Sequence, residues 1–382
     1  MEMGGRGRHR PGRCHVDLVA HMMNASKTIG SLVKADPRFD TLIAPDTELE
    51  VLANGYDWSE GPVWVPRDGG FLLWSDVPAN TIYKWEPGHA AAAFMKPSGF
   101  TGVGEYSREP GSNGLTLDRQ GRLIAAEHGD RRISRFDWTG GKRTVADNWQ
   151  GKRFNSPNDV VVKSNGDIYF TDPIYGLPEG ETDATREIDF SGVYRWSEKT
   201  AEVTLLTKDL SRPNGLAFSP DEKSLYVANS DPAKAVWMIY PVEADGTIGS
   251  GKVFKDVTSM VGKEHPGVPD GLRVDERGNV FATGPGGVHI YAPDGTLLGR
   301  IDTGRATANC AFGGDGSDLY ITAGTYILRI RTRRKAPGSE EREVDVNELR
   351  PAKRLISRTL IWHVLGSNQR PWDQRALPNT RR

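Results

Sequence analysis

Between Glu50 and Arg334 one pattern returns six times: a small residue or Pro, a polar residue, Gly or Asp, an alternating apolar strand, a turn and a second strand. The copies read WSEGPVWV at Glu60, GSNGLTLD at Asn113, SPNDVVVK at Asn158, RPNGLAFS at Asn214, VPDGLRVD at Asp270 and TANCAFGG at Asn309. Successive key positions lie 53, 45, 56, 56 and 39 residues apart, close to the ~40–50 residues per blade of propeller repeats and unlike helical solenoids. Each copy continues through a tight turn into a second strand, as in PRDGGFLLWSD, KSNGDIYFTDP and DERGNVFATG, with Gly, Asn and Asp where a hairpin needs positive φ. A third strand rich in β-formers follows (TIYKWEP, RISRFDW, GVYRWSE, AVWMIYP, GVHIYAP, YILRIRT), and in most copies a turn leads to a fourth. Six units of four strands predict an all-β, six-bladed β-propeller.

The sixth copy stops after its third strand, because RTRRKAPGSEE is a poor fourth. Residues 47–53 (TELEVLA) alternate apolar and polar ahead of the first copy and are expected to supply the missing outer strand, closing the ring without an exposed edge. The domain reading is an N-terminal extension over 1–40, the propeller over 41–334 and a C-terminal extension over 335–382. The first segment is Arg-rich, aperiodic and expected to be poorly ordered; an organellar transit peptide is the competing reading, and its sparse Ser argues against that. The last segment opens on a charged linker and carries LISRTLIWHVL, too short for a bilayer and readable as a docked helix or a tail.

Composition narrows the partners. Lys plus Arg number 49 against 50 Asp plus Glu, and the net charge of −1 provides no field for nucleic acid or an anionic membrane. Cys14 and Cys310 are the two cysteines, too few for a disulfide framework. No apolar run approaches the ~18 residues of a membrane span, and the N-terminus lacks the apolar core of a secretory signal. The expectation is a soluble cytoplasmic protein, monomeric or weakly homo-oligomeric, whose partner is a small molecule.

If the first strand of each copy is innermost, its opening polar residue lies at one height in every blade and faces the axis. Glu60, Asn113, Asn158, Asn214, Asp270 and Asn309 then form a ring of oxygens. Two carboxylates and several amide carbonyls with no Cys or His match hard divalent cations, calcium, magnesium or manganese, more than zinc or copper. A single Asn or Asp before a strand is ordinarily a turn former; six in phase argue for more, although not all six can be ligands.

The strings EGPVW (60–64), SPNDVVV (156–162), PNGLAFSP (213–220), PDGLRVDERGN (269–279) and CAFGG (310–314), in this order and spacing, resemble the family of gluconolactonase, senescence marker protein (regucalcin) and luciferin-regenerating enzyme. The resemblance covers roughly residues 45–332. It implies a six-bladed propeller holding one divalent cation and hydrolysis of a sugar-acid lactone such as glucono-1,5-lactone; with the oxygen-only ring, calcium is the first expectation for that ion, and magnesium, manganese and zinc follow. Carried over by position, it implies Glu60, Asn158, Asn214 and Asp270 as metal ligands and Asp270 as the catalytic acid/base.

Metal-assisted hydrolysis would combine a polarised carbonyl with a carboxylate that takes the proton of attacking water. Asp270 ranks first for that proton. Asp159, beside Asn158, is the second candidate and a candidate substrate contact; Asn113 is expected to orient substrate hydroxyls, and His128 to hydrogen-bond substrate or a ligand. Asp76, Asp172 and Asp231 end second strands and read as turn residues, while Tyr175 is placed to wall a pocket. Two readings compete with the lactonase: a phosphotriester or aryl-ester hydrolase on the same ion, and a non-catalytic calcium-binding or scaffold propeller. The presence of both Glu60 and Asp270 favours an enzyme.

Overall fold

The structure, a computed structural model, describes residues 28–334 and Pro337. Expectations about residues 1–27 and the C-terminal segment, the transit-peptide reading and the docked helix among them, lie outside the described residues.

Six antiparallel sheets follow one another, and in each of the first five, four consecutive strands run from inside to outside along the chain. Blade 1 runs Ser59–Val65, Phe71–Asp76, Thr81–Trp85 and Ala92–Met95; blade 2 runs Ser112–Leu117, Leu123–Glu127, Arg132–Asp137 and Gly141–Ala146. Blades 3, 4 and 5 open on Val160–Val162, Pro213–Phe218 and Leu272–Val274. Blade 6 takes three strands from the chain's end, Thr307–Gly313, Asp318–Ala323 and Tyr326–Arg331. Its outermost strand is Glu50–Asn54, antiparallel to Tyr326–Arg331. The ring therefore closes as the alternation of residues 47–53 predicts. Glu50 stands opposite Arg329 across this seam and pairs with it at 2.6 Å.

The second strands read as nearly unbroken apolar runs because both of their faces are covered. In FLLW, Phe71 and Leu73 share a core with blade 2 (Leu115, Leu123, Ala125). Leu72 and Trp74 point the other way, onto Tyr320 and Ile327 of blade 6. The same division repeats around the ring, so six hydrophobic cores lie between neighbouring blades. No blade holds a complete core by itself, which makes the ring cooperative.

The described part of the segment read as an extension differs from that expectation. Ser31–Lys34 pairs with Leu297–Asp302 as a fifth strand on blade 5, and a 3₁₀ turn over Pro37–Thr41 follows, capped by the Asp36 carboxylate accepting from the Arg38 backbone N–H. Phe39, Leu42, Ile43 and Leu49 bury themselves against Phe281, Ile290, Leu298, Leu319 and Ile330. Arg333 returns a backbone N–H to the Leu42 carbonyl at 2.7 Å. A strap thus spans the outer side of blades 5 and 6. Among the described residues no helix is long and apolar enough to cross a membrane.

Deleting residues 44–54 is expected to abolish cooperative unfolding in a thermal melt, since it opens the sixth blade; an unchanged transition would contradict closure. Phe39→Ala should cost about 3–5 kcal/mol in urea unfolding, the range for emptying a buried aromatic site.

Candidate active site

Every inner strand is irregular where its ring residue sits. Pairing with the second strand slips between Glu60 and Val63, Ser112 and Leu115, Pro213 and Leu216, and Thr307 and Asn309. In blades 3 and 5 regular pairing begins only at Val160 and Leu272, after the ring residue, and the Thr171 hydroxyl accepts the Asp159 backbone N–H at 3.1 Å. A bulge at the end of a strand re-aims the side chain it carries, here toward the axis.

The residue after the ring position explains how six strands crowd together. In four blades it is Gly61, Gly114, Gly215 and Gly271. A Cβ on Gly61 would strike the Asn113 carbonyl, one on Gly215 the Asp270 carbonyl, and one on Gly271 the Asn309 amide. Backbone bonds lock the same contacts, Gly114 N–H to Asn158 O and Gly271 N–H to Ala308 O, each 2.7 Å. Blade 3 breaks the rule with Asp159, whose carboxylate fills the space where a Cβ on Gly114 would lie. Asp159 is fully buried, accepting from the Val160 N–H at 2.8 Å and the Asn309 amide at 3.3 Å.

Three acids consequently share one centre, Glu60 and Asp159 buried in it and Asp270 half-buried. Burial, then the charges of Glu60, Asp159 and Glu109, hold the Asp270 carboxyl well above the usual range, while a hydrogen bond from Asn214 opposes this. Glu60 is pushed up to about 8 chiefly by burial, with the Gly61 N–H opposing, Asp159 adding and the Asn309 amide opposing. Asp159 is raised by burial and pulled back by Arg273. The charge of Glu60 thus acts on Asp270. Two buried oxygens, Asn158 Oδ1 and Asp270 Oδ1, have no hydrogen-bond partner. Asn309 differs from its ring mates: its Oδ1 accepts the Cys310 N–H at 2.9 Å and its amide serves the acids. Among the described residues no three His, Cys, Asp or Glu side chains form a metal-binding group; Glu60 and Asp270 would have to be completed by amides.

His128 is wholly buried beside this centre. Its Nδ1 donates to the Glu109 carbonyl at 3.2 Å, and Asn158 Nδ2 lies 3.4 Å from its Nε2. Burial lowers its pKa to about 4, so the ring is neutral. Asn113 is 5% exposed on the ring. Tyr175 reaches the same centre, hydrogen-bonded to Ser230 and within the field of Asp270. Ser230 in turn donates to the Pro269 carbonyl at 2.6 Å.

Sequence reasoning overlooked Glu109, Ser230 and Arg273. Glu109 and Ser230 sit on irregular loops with no periodicity to mark them; Arg273 stood out only as a charge inside an otherwise apolar strand.

The acids ending second strands brace the loops that carry the ring. Asp172 accepts the Asn155 and Ser156 N–H groups, both at 2.8 Å, and Asp76 accepts those of Asp57 and Trp58. In blade 4 this duty belongs to Asn229, which accepts the Arg212 N–H at 2.9 Å, whereas Asp231 caps a local turn at Ala233. Asp172→Ala leaves two buried donors unpaired, at about 1–3 kcal/mol each. Urea unfolding should show a loss of at least about 2 kcal/mol, and unchanged stability would contradict the bracing role.

The model of the SMP-30/Gluconolactonase/LRE-like region matches residues 58–325. The gluconolactonase of Zymomonas mobilis is 42% identical over 318 residues, covering 81% of this chain and 88% of that protein. The solved gluconolactonase of Xanthomonas campestris superposes with a TM-score of 0.70 at 28% identity, covering 81% of this chain and 99% of that one. Regucalcin of Agrobacterium tumefaciens, described as a calcium-binding protein, shares the fold at 20% identity and TM-score 0.60, over 75% of this chain and 94% of that one. Six blades, the axial ring and these likenesses agree: the chain belongs to the SMP-30/gluconolactonase/LRE-like family.

Proposed function

We propose that this protein is a divalent-cation-dependent lactonase that opens a sugar-acid lactone such as glucono-1,5-lactone by adding water to its carbonyl carbon. That the chain is a hydrolase of lactone esters follows from its family and from a gluconolactonase relative at 42% identity. One observation carries the finer reading. Asn158 Oδ1 and Asp270 Oδ1 are buried without partners in a centre where Glu60, Asp159 and Asp270 repel one another. Orphaned buried oxygens and unbalanced buried acids are each costly, and a single cation relieves both.

The donor set fits such an ion. Glu60, Asn158, Asn214 and Asp270 would hold it through oxygen alone, a choice that favours calcium over zinc, with magnesium and manganese between them. When bound, the ion supplies Lewis-acid polarisation of the lactone carbonyl and positive charge for the oxyanion. Asp270 takes a proton from the attacking water as the oxygen–carbon bond forms, then returns it to the ring oxygen as the carbon–oxygen ester bond breaks. Asp159 is less free for that role, because both of its oxygens already accept hydrogen bonds from Val160 and Asn309. Asn113, with Tyr175 beside the centre, would orient the sugar hydroxyls. A cytoplasmic, monomeric or weakly oligomeric enzyme is part of the same reading.

Stripping the protein with a chelator and following acid release in a pH-stat tests it. Hydrolysis of glucono-1,5-lactone should vanish and return with calcium, while Asp270→Asn should lower kcat by about 10²–10⁴-fold. Full turnover by protein shown to be metal-free, or by Asp270→Asn, would overturn the assignment. Preference for an aryl ester or phosphotriester across the same substrate panel would replace the sugar lactone.

A further inference from the structure

Resting on the reading of a cation held in part by Asn158, we propose that His128 is a positioning residue that sets which end of the Asn158 amide faces the axis. An asparagine side chain can present either oxygen or nitrogen, and only the oxygen serves a cation. The choice is made one shell out. The acceptor at His128 Nδ1 is the backbone carbonyl of Glu109, which has no hydrogen to give, so Nδ1 must carry the proton. With the proton on Nδ1, Nε2 offers its lone pair, and the group 3.4 Å from it must donate. Asn158 Nδ2 meets that demand, and Asn158 Oδ1 is left without a protein partner.

The backbone of Asn158 gives the amide no other anchor. Its N–H goes to the Thr171 carbonyl at 2.8 Å, and its carbonyl accepts from Gly114 at 2.7 Å. The ring has little slack either: Gly176 packs against it, and a Cβ at 176 would collide with His128 Cβ and Cγ. The carboxylate of Glu109 also faces the ring, its Oε2 lying 3.8 Å from Nδ1. With both nitrogens engaged and no exposed surface, His128 acts through Asn158 rather than on substrate. Metal-ligand partners of this kind change affinity by about 10–100-fold when removed.

Two substitutions separate the ring nitrogens. Asn places its amide where Nδ1 lies and keeps only the Glu109 contact; Gln reaches the Nε2 position and can accept from Asn158. Calcium dissociation constants, measured by competition with a chromophoric chelator, should weaken by about 10–100-fold in His128→Asn and stay within about threefold of wild type in His128→Gln. In an Asn158→Ala background His128→Asn should have no further effect, which a general disturbance of the fold would not reproduce. Wild-type affinity in His128→Asn, or an undiminished loss in the Asn158→Ala background, overturns the inference. Should His128→Asn not fold, as judged by the melt of metal-free protein, folded His128→Gln decides alone: retained affinity supports the assignment and a tenfold loss refutes it. A wild-type protein that binds no calcium, magnesium or manganese would instead defeat the underlying metal reading.

Discussion

Six sheets can share an axis only where their inner strands come within backbone contact, and that close approach governs the rest of this molecule. Gly61, Gly114, Gly215 and Gly271 exist in the repeat because any Cβ there would strike the next blade. Their absence of side chains leaves room for the preceding residue, Glu60, Asn113, Asn214 or Asp270, at the centre, where the first three are buried and Asp270 keeps a buried Oδ1. Burial then does the electrostatic work. Acids that would be ordinary on a surface are forced toward protonation unless something positive joins them.

Blade 3 is where this regularity is broken to chemical effect. Asp159 occupies the glycine position, adds a third acid to the centre and recruits Asn309 from across the axis. Asn309 thereby becomes a donor rather than a potential ligand. Behind the ring, Asp76, Asp172 and Asn229 tie down the loops that lead into inner strands, so the ring residues sit on braced backbone. Glu109, Tyr175 and Ser230 come from loops above it, the part of a propeller free to change with substrate.

The blades were legible because a period survives in the chain even where individual strands are short, and closure was legible because TELEVLA alternates where the sixth copy runs out. The strap over blades 5 and 6 was not. Phe39, Leu42 and Ile43 enter the core from a 3₁₀ turn and its exit, which leave no helical or strand period to read. The ring could be named from phase alone, yet which members keep a free oxygen could not, since Asn309 and Asn158 carry the same side chain and differ only in what surrounds them. Asp231 looked equivalent to Asp172 by its place in the string; the register puts Asn229 there instead. Glu109 left no trace because loops hold their residues by contacts far apart in sequence.

Anomalous diffraction from a crystal grown with manganese measures the central claim most directly. One strong peak on the axis, within bonding distance of Glu60, Asn158 Oδ1, Asn214 and Asp270, is the expected result. A peak bound elsewhere, or an axis that stays empty while the crystal holds manganese at other sites, would contradict it.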